Sequence, residues 1–272
     1  MIKQAIIPLA GLGTRLLPLS SVLPKELLPI NGKPGLEYIL NECIEAGIKE
    51  FIFIISKKKS NIKKYFFNDN FYQNIIKKKK DKRLMHEFLK IKKYQKMIKF
   101  VYQNKPKGTG DAILKCKKYI KGSHFLMLLP DDLIIKRNCS REMIRLHKRT
   151  GGSVIATKIV NKKTVSRWGI LSVNNKSKSS FQITDVAEKP SIKDAKSNFA
   201  IIGRYILPFK IIKEIKKLKP GRDNEIHITD AIKNLIYKGE QFYANIFKGE
   251  YLDCGTMQGY INSGLKINKL KK

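Results

Sequence analysis

The chain has 272 residues, of which 42% are hydrophobic, and it carries 56 basic against 22 acidic side chains for a net charge of +34. A chain this long can bury roughly three quarters of its unfolded surface, and its apolar content excludes disorder. Lysine supplies 47 of the cations and arginine only 9. Bidentate recognition of bases and phosphates favours arginine, so the charge reads as biased composition on solvated helix faces and no specific nucleic-acid partner is expected.

In chain order, Gln4–Pro8 and Phe51–Ile55 read as strands. Between them Pro34–Gly47 reads as a helix, with Leu36, Ile39, Leu40, Cys43 and Ile44 on one face. Ser60–Lys96 is lysine-rich and helical, an inserted helical hairpin spanning about 60–97, with Phe71, Ile75, Leu84 and Phe88 expected to face inward. Ile98–Tyr102 and Phe125–Leu129 are further strands, separated by a helix from Thr109 to about Ile120. This β-α-β-α-β order implies parallel strands with right-handed crossovers. The second half is richer in strands: Val154–Val160, Gly169–Val173, Ile183–Glu188, Ala200–Leu207 and Phe242–Phe247. Helices are expected over Pro208–Lys217, Ile226–Tyr237 and Thr256–Asn268, and the polar Asn174–Ser180 stretch as a hairpin tip. No repeat or linker divides the chain, which reads as a single domain.

The four cysteines (Cys43, Cys116, Cys139, Cys254) form no CxxC pair and have no histidine at zinc-ligand spacing. Cys43 and Cys116 fall on helix core stripes. Met1-Ile2-Lys3 runs directly into a strand, so no signal peptide is expected, and no apolar run approaches the roughly 18 residues of a membrane helix. A reducing cytoplasm is the expected compartment, with no membrane association.

The first strand ends in Ala10-Gly11-Leu12-Gly13-Thr14-Arg15, followed by Pro18 and by Pro24-Lys25-Glu26-Leu27-Leu28-Pro29. Such a glycine pair turns backbone N–H groups toward an anion at the carboxyl end of a strand. The segment lacks the third glycine of the dinucleotide fingerprint and the Gly-Lys-Ser/Thr ending of the P-loop, and a plain tight turn is the alternative. Arg15 and Lys25 place two cations in one proline-stiffened segment, suited to a triphosphate.

The fourth strand ends in Leu129-Pro130-Asp131-Asp132, and Leu252-Asp253-Cys254-Gly255 precedes the last helix. Magnesium is usually held by one or two carboxylates together with phosphate oxygens, which suits Asp131 and Asp253. Asp132 fits a turn or helix cap equally well.

AGLGTRLLP, PKELLP, Gln103 with KGTGDA, LPD, WG, EKP, GRYIL, EIHITDAI and LDCG occur in this order from Lys3 to about Leu265. In that order they resemble the bacterial UTP–glucose-1-phosphate uridylyltransferases. The resemblance implies a Rossmann-like nucleotidyltransferase fold of the α/β class, with a mixed, mostly parallel central sheet flanked by helices. It implies transfer of a uridylyl group from UTP to glucose 1-phosphate with Mg2+ as cofactor, and a homo-oligomer. Position by position, the backbone of Ala10, Gly11, Leu12 and Gly13 would hold the nucleotide, with Arg15 and Lys25 on its phosphates and Glu26 toward the base. Gln103 would read the uracil edge, and Gly108 and Gly110 would admit base and ribose. Asp131 and Asp253 would hold the metal. Gly169 and Glu188 would bind sugar hydroxyls and Lys189 the sugar phosphate, the second half from about residue 151 forming the sugar side.

Two departures stand out: Asp111 where many relatives carry histidine, and Trp168 where they carry another aromatic. The related thymidylyltransferases typically have Ser-Lys-Gln in place of Pro24-Lys25-Glu26. Silent regulatory paralogues lose the Thr-Arg of the glycine loop, which here is intact as Thr14-Arg15.

Overall fold

The computed structural model describes residues 2–67, 70–174 and 181–270. The chain opens with β1 (Gln4–Pro8), then β2 (Pro29–Ile30), β3 (Lys33–Pro34), α1 (Gly35–Glu45) and β4 (Glu50–Ile55). Four helices follow, α2 (Ser60–Phe67), α3 (Asn70–Lys78), α4 (Lys82–Leu89) and α5 (Lys92–Gln95), before β5 (Ile98–Tyr102). Next come α6 (Gly108–Lys115), β6 (His124–Leu128), β7 (Asp132–Ile135), α7 (Cys139–Thr150) and β8 (Ser153–Ile159). The chain continues through β9 (Gly169–Asn174), β10 (Phe181–Glu188), β11 (Phe199–Pro208), α8 (Ile211–Ile215) and α9 (Ile228–Tyr237). It closes with β12 (Phe242–Ile246), β13 (Glu250–Asp253) and α10 (Met257–Lys269).

One sheet runs through both halves in the order β5-β4-β1-β6-β11-β8-β12-β10-β9. β5, β4, β1 and β6 pair in parallel, as the alternation of strands and helices predicts. The expectation of a mostly parallel sheet does not carry into the second half. β11 pairs antiparallel with both β6 and β8, and β10 antiparallel with both β12 and β9, so only β8–β12 is parallel there. For β9 and β10 the reason is connection length: the short link between them leaves no room for the dozen or more residues of a crossover, so these two strands pair antiparallel.

Helices cover both faces. Along β1, Ala5 and Ile7 face one core with Leu36, Ile39 and Cys43 of α1, while Ile6 faces the other with Ala112 and Ile113 of α6. Side chains alternate across a strand, so a strand buried on both faces is continuously apolar, as in Phe125-Leu126-Met127-Leu128. Cys43 and Cys116 are buried, as the helix stripes predict.

The helical insertion turns a different face inward from the expected one. Ile62, Phe66 and Tyr94 are buried against the sheet, whereas Phe71 and Leu84 are exposed. α3 and α4 pack on each other rather than on the sheet, so their apolar stripes do not point at the core. Residues 175–180 of the expected hairpin tip lie outside the described residues. No helix among the described residues is long and apolar enough to cross a membrane.

Candidate active site

The carboxyl ends of β1, β5 and β6 open on a cavity of about 320 Å³ that Ala10, Gly11, Arg15, Lys25, Gln103, Gly108 and Asp131 help to line. A second, of about 200 Å³, is lined by Arg167, Trp168, Gly169, Glu188, Tyr251 and Asp253 among others. Arg15, Leu129 and Asp131 line both cavities, so the two adjoin at these residues. A larger groove of about 680 Å³ between α1 and the β7–α7 connection is lined by none of the expected site residues.

Asp131 and Asp253 are far apart in sequence, and an antiparallel ribbon unites them. β7 and β13 pair Asp132 with Asp253, and the Cys254 N–H donates to the Asp131 carbonyl at 2.8 Å. A Cβ placed on Gly255 would lie 3.2 Å from an oxygen of each carboxylate, which puts those oxygens within twice that distance of one another. The same point lies 3.0 Å from Arg15 Nη2, so a side chain at residue 255 would crowd all three groups.

Lys25 Nζ donates to Asp131 Oδ2, and Arg15 Nη2 stands 3.9 Å from the same oxygen. Burial disfavours the Lys25 charge, but Asp131 and Glu26 outweigh it and hold the ammonium above its ordinary pKa. Behind it Glu26 is buried, and both its oxygens accept from Lys59 Nζ at 2.7 and 2.9 Å. Burial pushes the Glu26 carboxyl up and the Lys59 ammonium down, while their contact opposes both shifts. Glu26 therefore lines the cavity with its oxygens already engaged.

Asp132 serves structure. Half-buried at the edge of the second cavity, it accepts from the Tyr251 hydroxyl at 2.6 Å and from the Gly203 N–H at 3.1 Å. Burial raises its pKa, and the Tyr251 hydrogen bond works against that rise.

On the nucleotide side, Gln103 is buried at the end of β5. Its Nε2 donates to Asp111 Oδ2 at 2.8 Å and to the Gly108 carbonyl at 3.2 Å. Gly108 has a left-handed φ of 88°, and a Cβ there would lie 2.6 Å from the Ile226 carbonyl oxygen. Gly110 sits against the same residue, its N–H donating to Ile226 O at 2.7 Å. The close backbone approach at both glycines is thus to Ile226, and Gly108 is the one that lines the cavity. Leu12 projects into solvent, while Gly13 takes φ 71° at the turn and accepts from Ser20 Oγ at 2.8 Å.

On the other side, the β9–β10 register sets Gly169 directly opposite Glu188, and Thr229 Oγ1 donates to Glu188 Oε2 at 3.0 Å. Lys189 follows with φ 44°, its N–H donating to the Trp168 carbonyl at 3.0 Å. It is not part of the lining of either cavity. Lys59, Thr229, Tyr251 and Arg167 belong to the site without having been singled out in the sequence. Thr229 lies within EIHITDAI and Arg167 beside the WG pair, whereas nothing local marks Lys59.

The Nucleotidyl transferase family pattern matches residues 4–269. The UTP–glucose-1-phosphate uridylyltransferase of Mycoplasma pneumoniae is 36% identical over 268 residues, covering 97% of this chain and 91% of that protein. A crystal structure of UDP-glucose pyrophosphorylase complexed with UDP-glucose matches with TM-score 0.87 at 34% identity, covering 99% of each chain. The UTP-bound UGPase from Acinetobacter baumannii matches with TM-score 0.89 at 31% identity, covering 98% of this chain and 93% of that one. With the family pattern matched almost end to end, and relatives this similar over nearly their whole lengths, the chain belongs to the nucleotidyl transferase family, among its UTP–glucose-1-phosphate uridylyltransferases.

Proposed function

We infer that this chain transfers the uridylyl group of UTP to α-D-glucose 1-phosphate, giving UDP-glucose and pyrophosphate. The observation that carries the reading is the pair of cavities adjoining at Arg15 and Asp131, one reached by the glycine loop and Gln103, the other by Gly169 and Glu188. A nucleotide in the first and a sugar phosphate in the second bring the α-phosphate and its attacking oxygen to the shared residues. Relatives solved with UTP and with UDP-glucose support the choice of substrates.

The sugar phosphate oxygen attacks the α-phosphorus in line, and the bond to the bridging oxygen of the leaving pyrophosphate breaks. The attacking group is already an anion, so no general base is required. The work falls to positioning and charge neutralisation. In this proposal Ala10–Gly13 cradle the triphosphate, and Arg15 and Lys25 neutralise it, Lys25 exchanging its contact with Asp131 for one with phosphate. Glu26 and Lys59 hold Lys25 in place from behind. Gln103 faces the base, Gly169 and Glu188 the sugar hydroxyls, and Lys189 reaches the sugar phosphate by a movement of its side chain toward the cavity.

Asp131 and Asp253 suit a divalent cation: two carboxylates close to one another, with room left for phosphate oxygens, match the magnesium preference. Bound there, Mg2+ would draw charge from the α-phosphate. We further propose a single domain whose sugar side begins at about residue 151, a homo-oligomeric assembly, and a cytoplasmic setting in keeping with the unpaired thiols of Cys43, Cys116, Cys139 and Cys254.

The test is pyrophosphate release with each nucleoside triphosphate and each sugar phosphate in turn. UTP with glucose 1-phosphate is expected to be the best pair and to need magnesium. No release with this pair, or magnesium-independent turnover, overturns the reading.

A further inference from the structure

We propose that Asp111 is a specificity-determining positioning residue, which fixes the side-chain amide of Gln103 so that only a hydrogen-bond acceptor faces the base. The inference rests on the nucleotide assignment above and goes beyond it. In the sequence Asp111 is a departure with no function of its own; in the structure it is the partner of the base-reading side chain.

The Gln103 amide has two N–H donors on Nε2 and one acceptor, Oε1. Nε2 lies 2.8 Å from Asp111 Oδ2 and 3.2 Å from the Gly108 carbonyl. A backbone carbonyl can only accept, and so can an ionised carboxylate. Exchanging Oε1 for Nε2 would set an acceptor against two acceptors in a buried site, since Gln103 and Asp111 are only 6% and 7% exposed. The amide therefore has one allowed orientation. Both Nε2 protons are thereby engaged, which leaves Oε1 as the amide atom able to bond a ligand in the cavity that Gln103 lines.

Asp111 is itself held. It sits in the first turn of α6, where a carboxylate complements the helix dipole, and Lys115 Nζ stands 3.7 Å from its other oxygen. It does not line the cavity, so it acts through Gln103. Set against position 3 of a pyrimidine, a lone acceptor selects an imino N–H. Uracil and thymine carry one there, whereas cytosine carries a lone pair. A fixed acceptor facing a lone pair is repulsive, and that element rejects CTP.

Without Asp111, Nε2 keeps only Gly108 and the amide can rotate to offer a proton to cytosine. The experiment compares kcat/KM for UTP and CTP, by pyrophosphate release, in the native enzyme and in Asp111→Ala, Asp111→Ser and Asp111→Asn, with a thermal melt of each. Alanine and serine cannot reach Nε2, and the UTP-over-CTP ratio is expected to fall about tenfold or more in whichever of them is folded. Asparagine can turn its carbonyl to Nε2 and should keep the ratio within about threefold, a rescue that a purely structural role does not require. In a Gln103→Ala background, Asp111→Ala should leave the ratio unchanged, because the two residues act as one unit. An unchanged ratio in folded Asp111→Ala or Asp111→Ser, with the native enzyme still preferring UTP, overturns the clamp alone. Equal use of UTP and CTP by the native enzyme overturns the base-reading role of Gln103 and the clamp with it.

Discussion

The guanidinium of Arg204, fully buried on β11, lies 2.9 Å from Glu42 Oε2 on α1 and donates at 3.2 Å to the carbonyl of Leu129. Glu42 also accepts from the Ser140 N–H at 3.0 Å. One buried ion pair thereby ties the central sheet to the turn that presents Asp131. Removing one partner of such a pair leaves an uncompensated buried charge and costs about 3–5 kcal/mol. Glu42→Ala should therefore lower the thermal midpoint by on the order of 10 °C. Glu42→Leu combined with Arg204→Met should recover most of that loss, since apolar replacement of a whole buried pair is often neutral. Equal melting of the native chain and Glu42→Ala would show that the pair contributes nothing.

Acid sensitivity is expected from the far end of the sheet. His124 and His147 have ring centroids 4.6 Å apart. Burial first, then His147 and Lys210, depress the His124 pKa to about 4, and Glu240 opposes them only weakly. An unfolded histidine titrates near 6.5, so between pH 6.5 and 4 the unfolded chain binds a proton that the folded one refuses. Stability is complete above pH 6.5 and declines as the pH falls through that window. Melting curves from pH 7 to 4.5 should show a shallower decline for His124→Gln than for the native chain. Parallel declines would remove His124 as a source of the sensitivity.

The parts of the site legible in the sequence are those in which local chemistry is distinctive. Two glycines after an apolar strand, two cations nearby and a carboxylate at a strand tip all mark themselves. The resemblance supplied the order of the motifs, and the structure brings most of them to two adjoining cavities. What could not be read is what depends on tertiary pairing. Lys59 is one lysine of three in a row, and only the fold seats it against buried Glu26. The short strands β7 and β13 carry too few residues for a period to register, yet their register sets Asp253 beside Asp131. α7 has a regular but thin apolar stripe, with only Cys139, Met143, Ile144 and Leu146 apolar along Cys139–Thr150, and its charged composition hides it. The antiparallel pairing of β10 with β9 is legible in the polar Asn174–Ser180 stretch, whereas the insertion of β11 between β6 and β8 depends on long-range pairing that the apolar pattern of the strands does not encode.

The net charge of +34 should produce polyanion binding of a weak kind. Neutralising phosphates releases counterions, so such binding falls steeply with salt whatever the sequence of the nucleic acid. Retention of labelled duplexes of several sequences should be equal among them and collapse between about 50 and 200 mM salt. A sequence-selective complex that survives about 200 mM salt would show a built nucleic-acid surface instead.

Asp131 and Asp253 can be separated by what else each one holds. If both carry the metal, substitution of either removes charge stabilisation at the α-phosphate, and each 1.36 kcal/mol is a factor of ten in rate. Asp131→Asn should lower turnover by roughly two to four orders of magnitude, and Asp253→Asn by a similar or somewhat smaller factor. Their stabilities should differ. Asp131 is the partner of Lys25, whose side chain is only 14% exposed, so neutralising Asp131 leaves a mostly buried ammonium with Glu26 alone and should lower the melting point. Asp253 accepts the Gly255 N–H at 2.8 Å, which the carbonyl of asparagine can also do, and Asp253→Asn should melt close to the native chain. Asp132→Asn is the control: it can still accept one of its two hydrogen bonds, and it should reduce turnover less than the other two. Steady-state pyrophosphate release across a magnesium series, alongside the melts, reads all three. Near-native turnover in both Asp131→Asn and Asp253→Asn would refute the metal pair, whereas loss confined to Asp131→Asn would reduce the metal's protein ligands to Asp131 alone.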